Sequence, residues 1–374
     1  MVTKLHCIQA YWHILPLDSL KHFYPRIMAN ISISSYGFHT PVGGYGICNN
    51  GWIKYLTRAG VDVRVHPRHA PRPGSNEWSL LDDEEREIFS KPFVKYDIGI
   101  SGTTPWEFKE NESPIKVAMT MAESDRISTH WAQACNGMTH VIVPNEFFKD
   151  VFRSSGVTVP ISVIRSGIDF EKIHPIDRPQ RDIYTFGICG YLNERKGVFD
   201  VIQAFASEFS PDEKVRLCMH TTNHFFRYYK NYTDPRISIS YQYKTYQDML
   251  AYYASLDAFV FPSKAEGIGY PPREAMATGL PTIVTSYSGL AELCASYCYP
   301  LNVRELVQRT DMLDQPGNWA NIEIRELMYF MRYVYEHRVS SIRKGKTAAI
   351  IMRKMYDYEV LVPKLLTLLG GLHG

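Results

Sequence analysis

Ser255-Leu-Asp-Ala-Phe-Val-Phe-Pro-Ser-Lys-Ala-Glu-Gly-Ile-Gly-Tyr-Pro-Pro-Arg-Glu-Ala-Met-Ala-Thr-Gly-Leu-Pro281 is the most informative stretch of the chain. Ala258-Phe-Val-Phe reads as a short buried strand, closed at Pro262. A loop with Glu266, Gly267 and Gly269 follows. Pro271 and Pro272 open a helix, a place where a missing N–H costs nothing. Gly279 is placed to end that helix, and Pro281 blocks its continuation. A helix entered this way starts at the carboxyl edge of a sheet. Its N-terminus attracts anions, and the glycines let backbone come close to a phosphate. Glu266 lies on the loop and Glu274 in the first helical turn. An acid near a helix N-terminus is favourable by about 0.3–1 kcal/mol. That, and a solvated loop acid at Glu266, are plain readings beside the functional one.

Outward from this unit, short apolar strands alternate with helical stretches, the mark of a parallel sheet covered on both faces. The first series contains Ile31–Ser35, Val61–Val65, Asp97–Ile100, Ile115–Met119, Thr139–Val143 and Ile161–Ile164. The second contains Tyr184–Cys189, Val215–Met219, Ile237–Ser240, Ala258–Phe261 and Thr282–Thr285. Between them, Ser166-Gly-Ile-Asp169 with His174-Pro and Arg178-Pro reads as a turn and linker. The expected organisation is an extension over 1–28, a first α/β domain over 29–173, a second over 174–345 and a helical tail over 346–374. The fold class is α/β: two Rossmann-like, doubly wound domains facing across a cleft. The helical stretch from Glu323 is expected to break at Gly345 and Pro363. The tail mixes bases with apolar residues from Arg343, which suits packing across the domain boundary or peripheral membrane contact.

Composition narrows the class. The 374 residues are 45% hydrophobic and 21% charged, ordinary globular usage that argues against disorder. A formal net charge of +2 supplies no global field for nucleic acid. The longest apolar runs fall well short of the roughly twenty residues that span a bilayer. The 7 cysteines are odd in number and scattered. With no charged-then-apolar opening segment, they suit a reducing, cytoplasmic compartment.

The setting Pro-Ser-x-x-Glu-Gly-x-Gly-x-Pro-x-x-Glu-Ala-Met-Ala-x-Gly-x-Pro, with Glu266 and Glu274 separated by seven residues, resembles the family 4 (GT4) retaining glycosyltransferases, or glycosyl transferases group 1. Ser286-Tyr-Ser-Gly-Leu-Ala-Glu292 is similar to that family's Ser-Gly-x-x-Glu segment. The resemblance implies the GT-B fold and a nucleotide sugar held mainly by the second domain. It implies that Glu274 binds the ribose and that Glu266 orients the donor sugar. It also turns the N–H groups of Gly267, Ile268 and Gly269 towards the diphosphate.

Gly187-Ile-Cys-Gly-Tyr-Leu-Asn-Glu-Arg-Lys-Gly197 puts two cations at a helix start, unfavourable for the helix alone. Arg195 and Lys196 make sense facing an anion, Arg as a fork and Lys as a point charge. The family carries Arg directly after the glycine that matches Gly190, where this chain has Tyr191; Lys196-Gly197 is kept. Pro41-Val-Gly-Gly-Tyr-Gly46 resembles the family's Gly-Gly loop, with Gly43 and Gly44 near the diphosphate and sugar. Met119-Thr-Met-Ala-Glu-Ser-Asp-Arg126 follows a strand. Glu123 there is a candidate active-site residue, with helix capping by Ser124 or Asp125 as the alternative.

No Asp-x-Asp, zinc spacing, Walker loop or Gly-x-Ser-x-Gly elbow is present in the sequence. The resemblance implies a retaining hexosyl transfer from a UDP- or GDP-sugar to an acceptor hydroxyl, and the missing metal motifs make the expectation metal-independent, with no bound cofactor. Expected partners are the nucleotide-sugar donor and a carbohydrate or glycolipid acceptor. A nucleic-acid-modifying transferase using the basic loop Arg64–Arg72, and a non-catalytic nucleotide-sugar-binding subunit, are the alternatives.

Overall fold

The structure, a computed structural model, describes residues 31–41, 43–224, 234–242, 245–294, 297–309 and 316–373. The expected extension 1–28 lies outside the described residues. Two six-stranded sheets carry the chain. In the first, β1 (Ser32–Gly37), β2 (Asp62–Val65), β3 (Ile98–Gly102), β4 (Ile115–Met119), β5 (His140–Val143) and β6 (Ile161–Val163) stand in the order β2-β1-β3-β4-β5-β6. In the second, β7 (Tyr184–Gly190), β8 (Val215–Thr221), β9 (Ile237–Ser240), β10 (Ala258–Phe261), β11 (Thr282–Thr285) and β12 (Tyr299–Leu301) stand in the order β12-β11-β10-β7-β8-β9. Every pairing in both is parallel.

Strands such as His140-Val-Ile-Val and Ala258-Phe-Val-Phe are buried along their whole length. That is why they read as continuous apolar runs rather than as alternation. In each sheet the strand order reverses once beside the first strand. The reversal falls between β1 and β3 in one sheet and between β7 and β10 in the other. Crevices for ligands form at such points, outside the carboxyl ends of the strands.

The helices cover the sheets. Here α1 spans Gly44–Arg58, α2 Asn76–Ser79, α3 Asp83–Ser90, α4 Thr129–Asn136, α5 Glu146–Ser154, α6 Val198–Glu208, α7 Tyr246–Ala254 and α8 Tyr270–Ala277. The Gly-Gly segment is thus not a detached loop: Gly43 is the N-cap of α1, and Gly44 and Gly46 form its first turn. Neither Ser124 nor Asp125 caps α4; Ser128 does, accepting from the Trp131 N–H.

Four features depart from the sequence expectation, and the first is β12, a sixth strand of the second sheet beyond the five expected. The stretch expected as a linker is packed on both sides. Ile168, Phe170 and Ile173 enter the core of the second sheet. Asp169 and Lys172 reach the other way: Asp169 pairs with Lys54 at 3.2 Å and Lys172 with Glu85 at 3.0 Å. An antiparallel hairpin, β13 (Val303–Gln308) and β14 (Asn318–Ile322), was not legible. The closing helices break at different places. α9 spans Ile324–Glu336, α10 Arg338–Tyr356 and α11 Tyr358–His373. His337 and Asp357 make the breaks, whereas Gly345 lies inside α10 and Pro363 inside α11.

Gly345 serves close approach rather than termination. A Cβ there would sit 2.2 Å from the Gly279 carbonyl oxygen at the end of α8. The last helix returns to the first sheet: Leu361, Leu365, Leu366 and Leu369 are buried among its residues. Tyr358 stacks on Tyr55 at 4.9 Å and donates to the Cys48 carbonyl at 3.1 Å.

Gly345→Ala should therefore lower stability by about 1–3 kcal/mol through overpacking. Gly371→Ala, where a Cβ meets nothing within 4 Å, should raise it by about 0.5–1 kcal/mol through helix propensity. Thermal melts of the two variants would show opposite shifts, and equal shifts would refute this account of Gly345.

Candidate active site

The two reversal points face one cavity of about 510 Å³. Its lining includes Gly43, Gly44, Glu123, Arg195, Lys196, Glu266, Gly267, Ile268, Gly269 and Glu274. Every residue singled out from the sequence as catalytic or ligand-binding is thus brought to one hollow.

Its floor is a buried charge cluster. The chain leaves β7, passes Asn193, and turns through Glu194–Lys196; the Asn193 side chain caps that turn by accepting from the Lys196 N–H. Gly197 then takes a left-handed φ of 66°, and a Cβ on it would lie 2.2 Å from the Pro262 carbonyl oxygen. The β7 and β10 loops are therefore in direct contact. Across that contact one Glu266 oxygen, Oε1, receives three donors. Lys196 Nζ lies at 2.6 Å, Arg195 Nη1 at 3.0 Å and the Ser263 hydroxyl at 2.6 Å. The Glu266 N–H donates to the Ser288 hydroxyl at 2.9 Å. Ser288 holds a φ of 51°, rare for a residue with a side chain, so this contact fixes a strained turn.

Burial alone would raise the Glu266 carboxyl, but the Lys196 and Arg195 charges outweigh it and hold the group below its ordinary range. Burial pulls Lys196 down, and Glu266 opposes that pull. With an ammonium and a guanidinium beside it, the carboxylate is ionised at neutral pH. Arg195 also reaches the opposite sheet. Its Nη2 lies 3.0 Å from Glu123 Oε1, so Glu123 meets the cluster through Arg195 rather than directly.

Above the cluster stands the start of α8. Gly269 is its N-cap at φ 71°. Pro271 and Pro272 occupy the first turn, so that turn has fewer N–H groups than its position promises. Donors for an anion must come from the loop residues 267–269, with Tyr270. A Cβ on Gly267 would lie 2.4 Å from Met121 Sδ, so the loop rests against the first sheet's side of the cleft. Glu274 is buried one turn into the helix. Tyr253 donates to its Oε2 at 2.8 Å. Burial pushes the Glu274 carboxyl up to about 7, with the Tyr253 hydrogen bond pulling against it.

Sequence reasoning missed Tyr253, Ser263 and Ser288. Ser263 stood in the quoted Pro-Ser pattern and Ser288 in the Ser-Gly pattern, so a signal existed for both. Tyr253 offered none. The basic loop carries less charge than it promised: Arg64 pairs with Asp62 at 2.8 Å and Arg68 with Glu110 at 2.6 Å.

The chain superposes on sucrose-phosphate synthase from Thermosynechococcus elongatus with a TM-score of 0.66 at 15% identity, covering 92% of this chain and 99% of that one. It superposes on HepE from Anabaena in complex with UDP-glucose with a TM-score of 0.68 at 15% identity, covering 90% and 98%. The fold is GT-B. Residues 183–313, the larger part of the second GT-B half, match the family model described as Glycosyl transferases group 1. No curated protein sequence matches the chain. Within GT-B, the reversal points of both sheets open on the same hollow, which is where Glu266 and Glu274 lie.

The raised Glu274 carboxyl has a consequence for stability. The folded state holds this proton more tightly than the unfolded chain does, because the pKa rises from 4.5 to about 7. Its contribution therefore favours folding below pH 4.5 and is lost as pH climbs towards 7. At about 1.4 kcal/mol per pKa unit, the loss is about 3 kcal/mol. His39 works in the opposite sense, because burial lowers it to about 4. Only a difference isolates Glu274. Relative to Glu274→Gln, the wild type should become less stable by about 3 kcal/mol between pH 4.5 and pH 7.5. Denaturant titrations at both pH values measure it, and a flat difference would refute the shift.

Proposed function

We propose that the protein transfers a hexose from a nucleoside-diphosphate sugar to an acceptor hydroxyl, with retention and without a metal ion. The observation that carries this reading is the convergence on Glu266. An ammonium and a guanidinium lie within 3.0 Å of it, beside the glycine loop at the start of α8, on one cavity shared with Gly43 and Gly44.

The step is cleavage of the bond between the sugar's anomeric carbon and the diphosphate oxygen. The electron pair leaves with the diphosphate. Positive charge develops on the sugar, as in glycoside chemistry generally. Arg195, Lys196 and the N–H groups of the glycine loop are fixed donors for the departing charge. Preorganised donors of this kind stabilise the transition state without reorganisation. Two cations occupy the role that a divalent ion would play. Glu266, held by both, orients the donor sugar's hydroxyls. Glu274 faces the ribose, and its carboxylate form is the stronger acceptor for ribose hydroxyls. The acceptor oxygen bonds to the anomeric carbon on the face the diphosphate leaves, and its proton passes to a diphosphate oxygen. Retention without a protein nucleophile is thereby accounted for.

Residues 29–173 are the acceptor half and 174–345 the donor half in this reading. HepE in complex with UDP-glucose supports a uridine nucleotide sugar as the first donor to try.

Nucleotide release should occur from one member of a UDP-, GDP- and ADP-sugar panel. It should fall by about 100-fold or more in Lys196→Ala and Arg195→Ala, the loss expected for a transition-state donor. Glu266→Ala should retain nucleotide affinity yet lose turnover. Nucleotide binding with no release from any donor in the wild type would leave a binding subunit, not an enzyme.

The two glycines at the start of α1 separate site from scaffold. A Cβ on Gly44 comes no nearer than 4.0 Å to Tyr270, whereas one on Gly46 would sit 1.7 Å from the Thr40 carbonyl oxygen. Gly44→Ala should melt like the wild type but bind donor at least tenfold more weakly. Gly46→Ala should lose stability. Melts and nucleotide-sugar titrations distinguish the two, and unchanged donor affinity in Gly44→Ala would remove Gly44 from the site.

A further inference from the structure

The cavity is electrically lopsided. Its second-sheet wall carries Arg195, Lys196, Glu266 and Glu274, whereas Glu123 is the only charged residue lining the first-sheet wall among the described residues. Pro41, Leu80, Thr104, Met121 and Trp131 form much of the rest of that wall. The fixed charges are therefore concentrated on one side, two cations and two carboxyl groups together. The other side suits a molecule with apolar faces and few charges.

Trp106, 45% exposed, is not itself a lining residue but is tied to two that are, Thr104 and Trp131. It lies on the turn that follows β3, two residues after the lining residue Thr104. Its ring is backed by His130, the neighbour of the lining residue Trp131, with centroids 4.2 Å apart and planes 25° from parallel. The Thr103 hydroxyl donates to Glu107 at 2.8 Å and closes the turn from either side of Pro105 and Trp106. Pro105 fixes its own φ. The backbone beneath the indole is thus pinned, and the ring stacks on His130, which is itself exposed. A rigid aromatic offers large contact area at small entropic cost. An open indole costs free energy in water, and covering it returns that cost. A pyranose ring matches such a platform. It has one C–H face for the ring and a rim of hydroxyls for polar neighbours such as Thr104.

Resting on the transferase reading, which leaves the acceptor undefined, we infer that Trp106 is the stacking platform for a pyranose ring of a carbohydrate acceptor. The sugar lies on the indole with its reacting hydroxyl directed past Thr104 into the cavity. His130 positions the platform from behind without touching the sugar.

The test is equilibrium binding of maltotriose, cellotriose, laminaritriose and chitotriose, read by saturation-transfer NMR on wild type, Trp106→Ala and Trp106→Phe. UDP and GDP titrations of the same samples serve as the donor-side control. At least one trisaccharide should bind the wild type, at least tenfold more weakly in Trp106→Ala and within about threefold in Trp106→Phe, because an aromatic face survives. Nucleotide affinity should be equal in all three. A trisaccharide bound equally well by Trp106→Ala overturns the inference. So does a wild type that binds nucleotide but no trisaccharide, or one that instead binds vesicles of a polyprenyl phosphate in phosphatidylcholine in a Trp106-dependent way. If trisaccharide binding depends on Trp106 but no nucleotide binds, the platform stands and the donor assignment alone fails.

Discussion

The structure is organised around one buried carboxylate that needs its partners. Taking a charge out of water costs several kcal/mol even after relaxation, and only close, well-directed partners offset it. Glu266 has three: Lys196 and Arg195 from the loop after β7, and Ser263 from its own loop after β10. The cluster therefore fixes the spacing of the two strands where the second sheet reverses. Removing both cations would strand the carboxylate's charge, which typically costs about 3–5 kcal/mol. The same groups that make the cavity chemically capable thus also hold its floor together.

From that floor the order of the site follows. The glycine loop must run between the Glu266 cluster and Met121, so Gly267 is kept small there, while Ile268 enters the core of the first sheet. Arg273, fully buried on α8, pairs with Glu292 at 2.5 Å and donates to the Gly289 carbonyl at 2.9 Å. This ties the helix to the segment that carries Ser288. Glu292 in turn meets Arg165 of the first half at 3.3 Å. Polar contacts of this kind, including Asn318 donating to both oxygens of Asp125 at 2.7 and 2.9 Å, stand beside apolar ones between the halves, where Ile268 and Tyr270 enter the core of the first sheet.

Much of this was legible in the sequence because the decisive signals are local. A buried strand, a glycine loop and a proline-started helix follow one another within 27 residues from Ser255 to Pro281, and each is dictated by backbone chemistry. The strands β4, β9, β10 and β11 could be bounded from apolar runs and punctuation alone. What failed depended on distant partners. Gly345 reads as a helix breaker, yet it is kept small by the Gly279 backbone, 66 positions away in the chain. Val303-Arg-Glu-Leu-Val-Gln lacks clean alternation, since both of its faces are largely exposed, and so hides a strand. Tyr253 is an unremarkable helix residue until Glu274 is folded onto it. The segment 168–173 looked like a linker because its Pro-rich continuation outweighed three separated apolar residues.

The polypeptide passes between the halves twice, once near Ile168 and once near Asp357, and these two crossings pair with each other through a bridge and an Ile168 N–H to Tyr356 carbonyl bond of 2.7 Å. Adjacent crossings define an axle. Rotation about it leaves that bond undisturbed, while displacement grows with distance from the line. The Arg195–Glu123 and Asp125–Asn318 contacts join the halves away from this axle, so widening the cleft must separate them. The ionic and amide part of that closure answers to ionic strength far more than the apolar contacts of Ile268 and Tyr270 with the first sheet do.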